Sequence, residues 1–310
     1  TLLSDDAAEP EQQASNARLL NRVKLNHEMI LNTQFKPHNN LGAVNEEELA
    51  AAYPLAPPRK LAPGSSGNVI VGCMKNEAPY IVEWVAYHTI QELALIDNKN
   101  EIKRLMRRCA HEGATLVHFP EGALSGQSKS KIKNWNDFDW NSLEAQLDDI
   151  AQLCSELDIW AVIGSTHNER NGLRPFNSLY IFDNSGTLVK RYDKRFCSHT
   201  EITDWYRAGT SAVTIDVNGI RFGMALCIEI QFPEIFQEYE RLDVDCVLLS
   251  AYSDKQIFAI QSQGHAACNN YWVSLSVPAN ISGKQASCLI GPDGHIINTC
   301  QNNISDFIIH

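Results

Sequence analysis

Cys227, Glu121 and Lys194 are residue types that can attack a carbonyl or nitrile carbon, and each stands in a local setting that suits the task. Cys227 ends the apolar run that begins at Arg221, and a short polar turn then leads to Pro233-Glu234. Pro233 suits a first helical position, where a missing N–H costs nothing, and Glu234 suits the positive end of a helix dipole. A cysteine at the end of a buried strand, beside free backbone N–H groups, is placed to act as a nucleophile. Glu121 closes Phe119-Pro120-Glu121 and Lys194 closes Tyr192-Asp193-Lys194, each at or just past a strand end, where α/β folds gather their sites. In such a set the glutamate would take the thiol proton and pass it to a leaving nitrogen. The lysine, with a backbone N–H near residue 228, would stabilise the oxyanion. Singly each has a plainer reading: a buried core cysteine, a capping glutamate, a solvated lysine. It is the combination that points to chemistry.

Positioning these groups takes a set of buried strands alternating with helices. Asp97 or Asn98 can cap a helix whose apolar positions Ile102, Leu105, Met106, Cys109 and Ala110 fall at helical spacing, with Gly113 as its stop. The run 114–122 then reads as a buried strand ending at Glu121. A second helix carries Leu143, Leu147, Ile150, Ala151, Cys154 and Leu157 on one face. Strands follow at 160–165, 178–183 and, beyond an Asn-Ser-Gly turn, into LVKRYDKRF; after the cysteine strand come 245–251, 271–277 and 287–292. Two such halves of continuous apolar strands predict a layered α/β domain with helices outside two sheets.

Composition narrows the function classes. The 310 residues carry a net charge of -11 and no Lys/Arg run, which excludes a sequence-independent nucleic-acid binder. No apolar run approaches the ~18–20 residues of a membrane span, and TLLSDDAAEP has no signal-peptide pattern. The nine scattered cysteines lack a CxxC pair, which points to reduced thiols in a cytoplasmic protein rather than to disulfides or zinc. No metal-spaced histidine pair occurs. Ser128-Lys-Ser-Lys131 fits S-x-x-K only as a cheap match in a Lys/Ser-rich loop, and the aromatic run 135–140 reads as a helix start or a pocket mouth. Residues 1–67 drift into Pro, Gly and Ser and read as a flexible arm.

From about residue 89 the chain resembles the carbon–nitrogen hydrolase (nitrilase) superfamily. The family's catalytic glutamate lies in a GAdLVvFPE pattern, matched by Gly113 to Glu121. Its lysine matches Tyr192-Asp193-Lys194, and its cysteine lies in a pattern matched by Gly223 to Glu234. Asn177-Ser178 before a strand agrees as well, and Thr89-Ile90-Gln91 matches the end of the family's first strand, so that VAYHTIQ would alternate as a strand. The resemblance implies a four-layer αββα sandwich, thioester chemistry without metal or cofactor, and a homodimer or higher homo-oligomer. It implies that Glu201 is a second active-site glutamate, and Ile228 and Glu229 are expected to bind substrate. Cys268 stands where a glutamate is usual. Cys-Ile-Glu lacks the tryptophan of true nitrilases, which favours a small linear amide or N-carbamoyl compound over a nitrile.

Residues 68–88 resemble the first strand and helix of a family-2-like glycosyltransferase, with a fusion joint near His88 and the hydrolase domain spanning 85–310. A metal-holding Asp-x-Asp would complete such a site. The two occurrences, Asp137-Phe-Asp139 and Asp243-Val-Asp245, read as chance. Glycosyl transfer and an inactive hydrolase-fold scaffold are the rival readings.

Overall fold

The computed structural model describes residues 69–72, 87–128, 132 and 134–309. Its first sheet holds β1 (Val69–Gly72), β2 (Leu116–His118), β3 (Trp160–His167), β4 (Phe176–Phe182), β5 (Leu188–Asp193) and β12 (Phe307–Ile309), in the order β12-β1-β2-β3-β4-β5. The second holds β6 (Thr214–Val217), β7 (Ile220–Leu226), β8 (Cys246–Ser250), β9 (Trp272–Ser276), β10 (Cys288–Ile290) and β11 (Ile296–Thr299), in the order β11-β10-β9-β8-β7-β6. The helices are α1 (Tyr87–His111), α2 (Trp140–Leu157), α3 (Pro233–Arg241) and α4 (Ile257–Asn269).

Strand alternation builds the layers. From β2, Val117 points outward to Leu105, Met106, Leu147 and Ile150 of α1 and α2. Its neighbour Leu116 points inward, where Val162 and Leu179 of its own sheet meet Phe222, Met224 and Leu248 of the other. Outside the second sheet, Val247, Leu249 and Val273 bury Ile235, Phe236 and Tyr239 of α3 and Phe258 and Ala266 of α4. The result is the expected αββα sandwich. Strands covered on both faces read as unbroken apolar runs, which is why β3, β4 and β8 are visible in the sequence.

Three expectations are corrected. Tyr87–Gln91 is helix, not strand, so α1 runs through Asp97 and Asn98 and neither caps it. Asn98 is instead buried mid-helix and donates through Nδ2 to the Leu124 carbonyl at 2.8 Å, holding the turn after Glu121. The sheet position left for VAYHTIQ is taken by Val69–Gly72, parallel to β2 and antiparallel to β12. The strand read as part of a glycosyltransferase is thus an inner strand of the first sheet; residues 73–86 lie outside the described residues. The Asp-x-Asp carboxylates are committed locally. Asp139 caps α2 by accepting from Ser142 N at 2.9 Å, and Asp245 accepts from Arg221 N at 2.8 Å. The run 135–140 therefore leads into a helix, with Trp135, Phe138 and Trp140 packed on one another.

Candidate active site

Two glycines let backbone approach backbone where the site needs it. A Cβ on Gly164 of β3 would sit 2.0 Å from the Pro120 carbonyl oxygen, so only glycine lets Pro120-Glu121 lie across that strand. A Cβ on Gly223 would stand 2.6 Å from the Tyr239 ring, which packs α3 tightly under the strand that ends at Cys227.

Cys227 follows β7 in a left-handed conformation, φ +49°, and opens the 3-10 turn Cys227–Gln231; α3 then begins with Pro233 in its first turn. A non-glycine residue there carries strain on the order of 1–3 kcal/mol and persists only where its surroundings over-determine it. Glu229 supplies that constraint. Fully buried, it accepts through Oε2 from Leu226 N and the Tyr192 hydroxyl, both at 2.7 Å, and through Oε1 from Arg195 N at 2.7 Å and Phe196 N at 3.1 Å. One carboxylate thereby ties the cysteine turn to the loop that carries Lys194. Burial pushes its pKa above the ordinary value, and the donors from Tyr192, Leu226 and Phe196 oppose that. Glu229, expected to bind substrate, does not line the cavity, and both of its oxygens are engaged within the protein.

Lys194 follows β5 and is 1% exposed. Its Nζ donates to Glu121 Oε1 at 2.9 Å and to Glu201 Oε1 at 2.8 Å. Burial works against the charge, but the carboxylates of Glu121 and Glu201 outweigh it and hold the ammonium well above the usual lysine value. Glu201 opens a π-turn, Glu201–Trp205, and accepts through Oε2 from Ser198 N at 2.7 Å. Burial opposes its ionisation; the charge and hydrogen bond of Lys194 prevail and keep the carboxyl below its ordinary range. Glu121, also 1% exposed, accepts through Oε1 from Asn177 Nδ2 at 2.7 Å and through Oε2 from Tyr252 N at 3.1 Å. The Tyr252 amide also acts on the Cys227 thiol and works to lower its pKa. Burial raises the thiol pKa, Glu121 adds to this and Lys194 opposes it, so the resting sulfur is protonated.

The structure therefore brings Glu121, Lys194, Glu201 and Cys227 together. Cys227, Ile228 and Glu201 line a cavity of about 810 Å³, within the range of small-molecule sites, whose walls include Tyr252, Phe258 and Asn280. Sequence reasoning gave no role to Asn177, which aims Glu121, or to the Tyr192 hydroxyl. It missed the Tyr252 amide altogether, because a main-chain donor leaves no residue-type signal. Among the described residues no cluster of His, Cys, Asp and Glu could hold a metal ion, and no helix is long and apolar enough to cross a membrane. The eight described cysteines are free.

Residues 85–310 match the family model for carbon-nitrogen hydrolases, and the chain belongs to that family, as an enzyme of C–N bond hydrolysis. Among curated proteins it is 21% identical to a formamidase of Bacillus thuringiensis (strain Al Hakam) over 248 residues, which cover 76% of this chain and 71% of that one. Among solved structures, an amidase from Nesterenkonia sp. superposes with a TM-score of 0.67 at 15% identity, covering 80% of this chain and 91% of that one. Saccharomyces cerevisiae Nit3, of the nitrilase superfamily, superposes with a TM-score of 0.62 at 18% identity, covering 81% and 92%.

Proposed function

We propose that the chain hydrolyses a small linear amide or N-carbamoyl compound through an acyl-enzyme on Cys227, releasing ammonia or an amine. The observation that carries this reading is a cysteine held at positive φ in the lining of a cavity that also takes in Glu201, one of the two glutamates that clasp the buried Lys194. Glu121 takes the Cys227 proton as sulfur bonds to the carbonyl carbon. One N–H of Lys194 and the main-chain N–H of Ile228 receive the oxyanion. The proton then passes from Glu121 to the leaving nitrogen and the C–N bond breaks. Water enters, gives a proton to Glu121 and attacks the thioester carbon; the sulfur leaves and recovers its proton from Glu121. Glu201 holds the Lys194 ammonium in place throughout. In support, a mutant of the Nesterenkonia amidase carries the acetamide moiety of fluoroacetamide covalently on its active-site cysteine.

The test is ammonia release from a panel of short amides, N-carbamoyl amino acids and nitriles, with intact mass measured after brief substrate exposure. Turnover of amides or carbamoyl compounds with a single transient adduct at Cys227 is expected. Turnover of nitriles alone, or of none of the panel, overturns the reading.

A further inference from the structure

The layer between the sheets is apolar over most of its extent, but it turns polar beneath the site. His118, the last residue of β2, is fully buried there, with its ring between two serines of the opposite sheet. Its Nε2 lies 2.7 Å from Ser250 Oγ at the end of β8, and its Nδ1 lies 2.9 Å from Ser274 Oγ on β9. Counting protons sets the tautomer. A serine hydroxyl has one proton to donate, and Ser250 donates its own to the Phe119 carbonyl at 2.8 Å. Ser250 must therefore accept from His118, so Nε2 bears the ring proton and Nδ1 accepts from Ser274. Burial pushes the imidazole pKa down to about 3, and the ring is neutral at ordinary pH. It does not line the cavity, and the proposed chemistry makes no use of it.

What the ring does hold is a hydroxyl. The chains leaving β2 and β8 run side by side and are joined twice. Ser250 Oγ bonds the Phe119 carbonyl, and two residues further along each chain the Tyr252 amide bonds Glu121 Oε2. The first join depends on a serine rotor whose other contact is the His118 N–H; the second sets where the Glu121 carboxylate stands. Ser276 adds a bond from its hydroxyl to the His118 carbonyl at 3.3 Å, so the end of β2 is gripped by both neighbouring strands of the opposite sheet.

We propose that His118 is a positioning residue: by orienting the Ser250 hydroxyl it fastens the chain before Glu121 to β8, and so fixes the reach of Glu121 to the Tyr252 amide and the Cys227 thiol. The inference rests on the reading of Glu121 as the base that serves Cys227. A self-satisfied polar cluster that only stabilises the sandwich would have different consequences.

Ser250→Ala removes the first join at little cost in volume, His118→Leu removes the donor, and His118→Gln offers an amide N–H in its place. Cys246→Ala, on the same inward face of β8 at the opposite end of the strand, is the control for stability alone. Melting temperature, kcat, KM and the rate of Cys227 alkylation by iodoacetamide are measured for each. Displacing a reacting group by about 1 Å costs on the order of 10²-fold. Ser250→Ala and His118→Leu are therefore expected to lower kcat by about 10- to 100-fold with KM within about twofold, and to slow Cys227 alkylation in step. His118→Gln recovers much of the loss, and Cys246→Ala melts earlier yet keeps its kcat. A folded Ser250→Ala protein with native kcat and alkylation rate overturns the proposal, as does a fall in kcat that tracks melting temperature across all four variants. If His118→Leu does not fold, Ser250→Ala decides. Failure of the amidase reading is seen separately, as turnover retained by Cys227→Ala, and the alkylation rates still compare Ser250→Ala with the native protein.

Discussion

The two sheets bring unlike things to the site. The first sheet and its loops supply an ion cluster that satisfies itself: Lys194 lies within 2.9 Å of Glu121 and within 2.8 Å of Glu201. The second supplies the Cys227 thiol and the Tyr252 amide, both neutral, and reaches back with Glu229. Buried charges need partners close by, so one sheet can assemble its own cluster from nearby chain. Alignment between the sheets has no such local guarantee. It rests on a few hydrogen bonds that cross the middle of the molecule, and breaking each side, then the crossing, separates their contributions.

The largest effect belongs to the second sheet's contribution. Cys227→Ala is expected to lower kcat by about 10³- to 10⁶-fold, the range for a nucleophile that acts as a unit with its partners. The fold should survive, since one partly exposed thiol contributes little to the core. Ammonia release and melting temperature check both halves, and normal turnover sinks the assignment of Cys227. On the first sheet, Glu121→Gln is expected to cost about 10²- to 10⁴-fold, because the carboxylate serves both acylation and deacylation. The acyl adduct on Cys227 should then decay slowly enough to be seen by mass; an adduct that clears at the native rate removes Glu121 from deacylation.

How far these contributions could be read in the sequence follows the same division. Cys227 was legible because it follows a buried strand whose far side is marked by Pro233-Glu234 at the start of α3, and Lys194 because it closes Tyr192-Asp193-Lys194 just past the end of β5. The first sheet's cluster was half local, with Lys194 and Glu201 seven positions apart. The crossings were not legible: the donors to Glu229 come from residues 192–196 and 226, and a carboxylate two places after a nucleophile reads as a substrate ligand. Strands β6 and β11 escaped notice because they are short, β6 with only two buried residues and β11 with all of Ile296–Thr299 exposed. Helix α4 carries no charged residue in its first turn and no sharp apolar stripe, so nothing marked it. Tyr87–Gln91 misled because apolar alternation over so few residues fits a strand or a helix turn equally well.

A crossing is tested by Glu229→Gln. The amide keeps the volume but turns one accepting oxygen into a donor that faces donors, either the Leu226 amide and Tyr192 hydroxyl or the Arg195 and Phe196 amides. The Lys194 loop and the cysteine turn should separate slightly, lowering kcat by roughly 10²-fold, with a smaller change in KM. The melting temperature should fall as well, since bonds to a buried carboxylate are worth about 1.5–3 kcal/mol each. A native kcat in Glu229→Gln would show that the ion cluster and the thiol find their alignment without this bond.

The smallest effect distinguishes the sheets by the sign of their pH dependence. Glu201 is held below its ordinary value of 4.5 in the folded chain, where burial is outweighed by Lys194. Between that lowered pKa and the ordinary one the unfolded chain binds more protons, so stability rises with pH through the window. Glu201's contribution is full above the ordinary value and is lost as pH falls through the folded one. Glu229, raised by burial, has the opposite sign: its contribution is full below the ordinary value and is lost as pH rises through the raised one. Melting temperature measured from pH 3 to pH 8 for the native chain and Glu201→Gln therefore has a defined shape. The variant should melt a few degrees lower at neutral pH, and the gap should close as the solution is acidified below about 4.5, where Glu201 of the unfolded chain takes up its proton before the folded one does. A gap that stays constant across that range would mean that the ion pair with Lys194 contributes nothing to folding and that Glu201 matters only for where it places the ammonium.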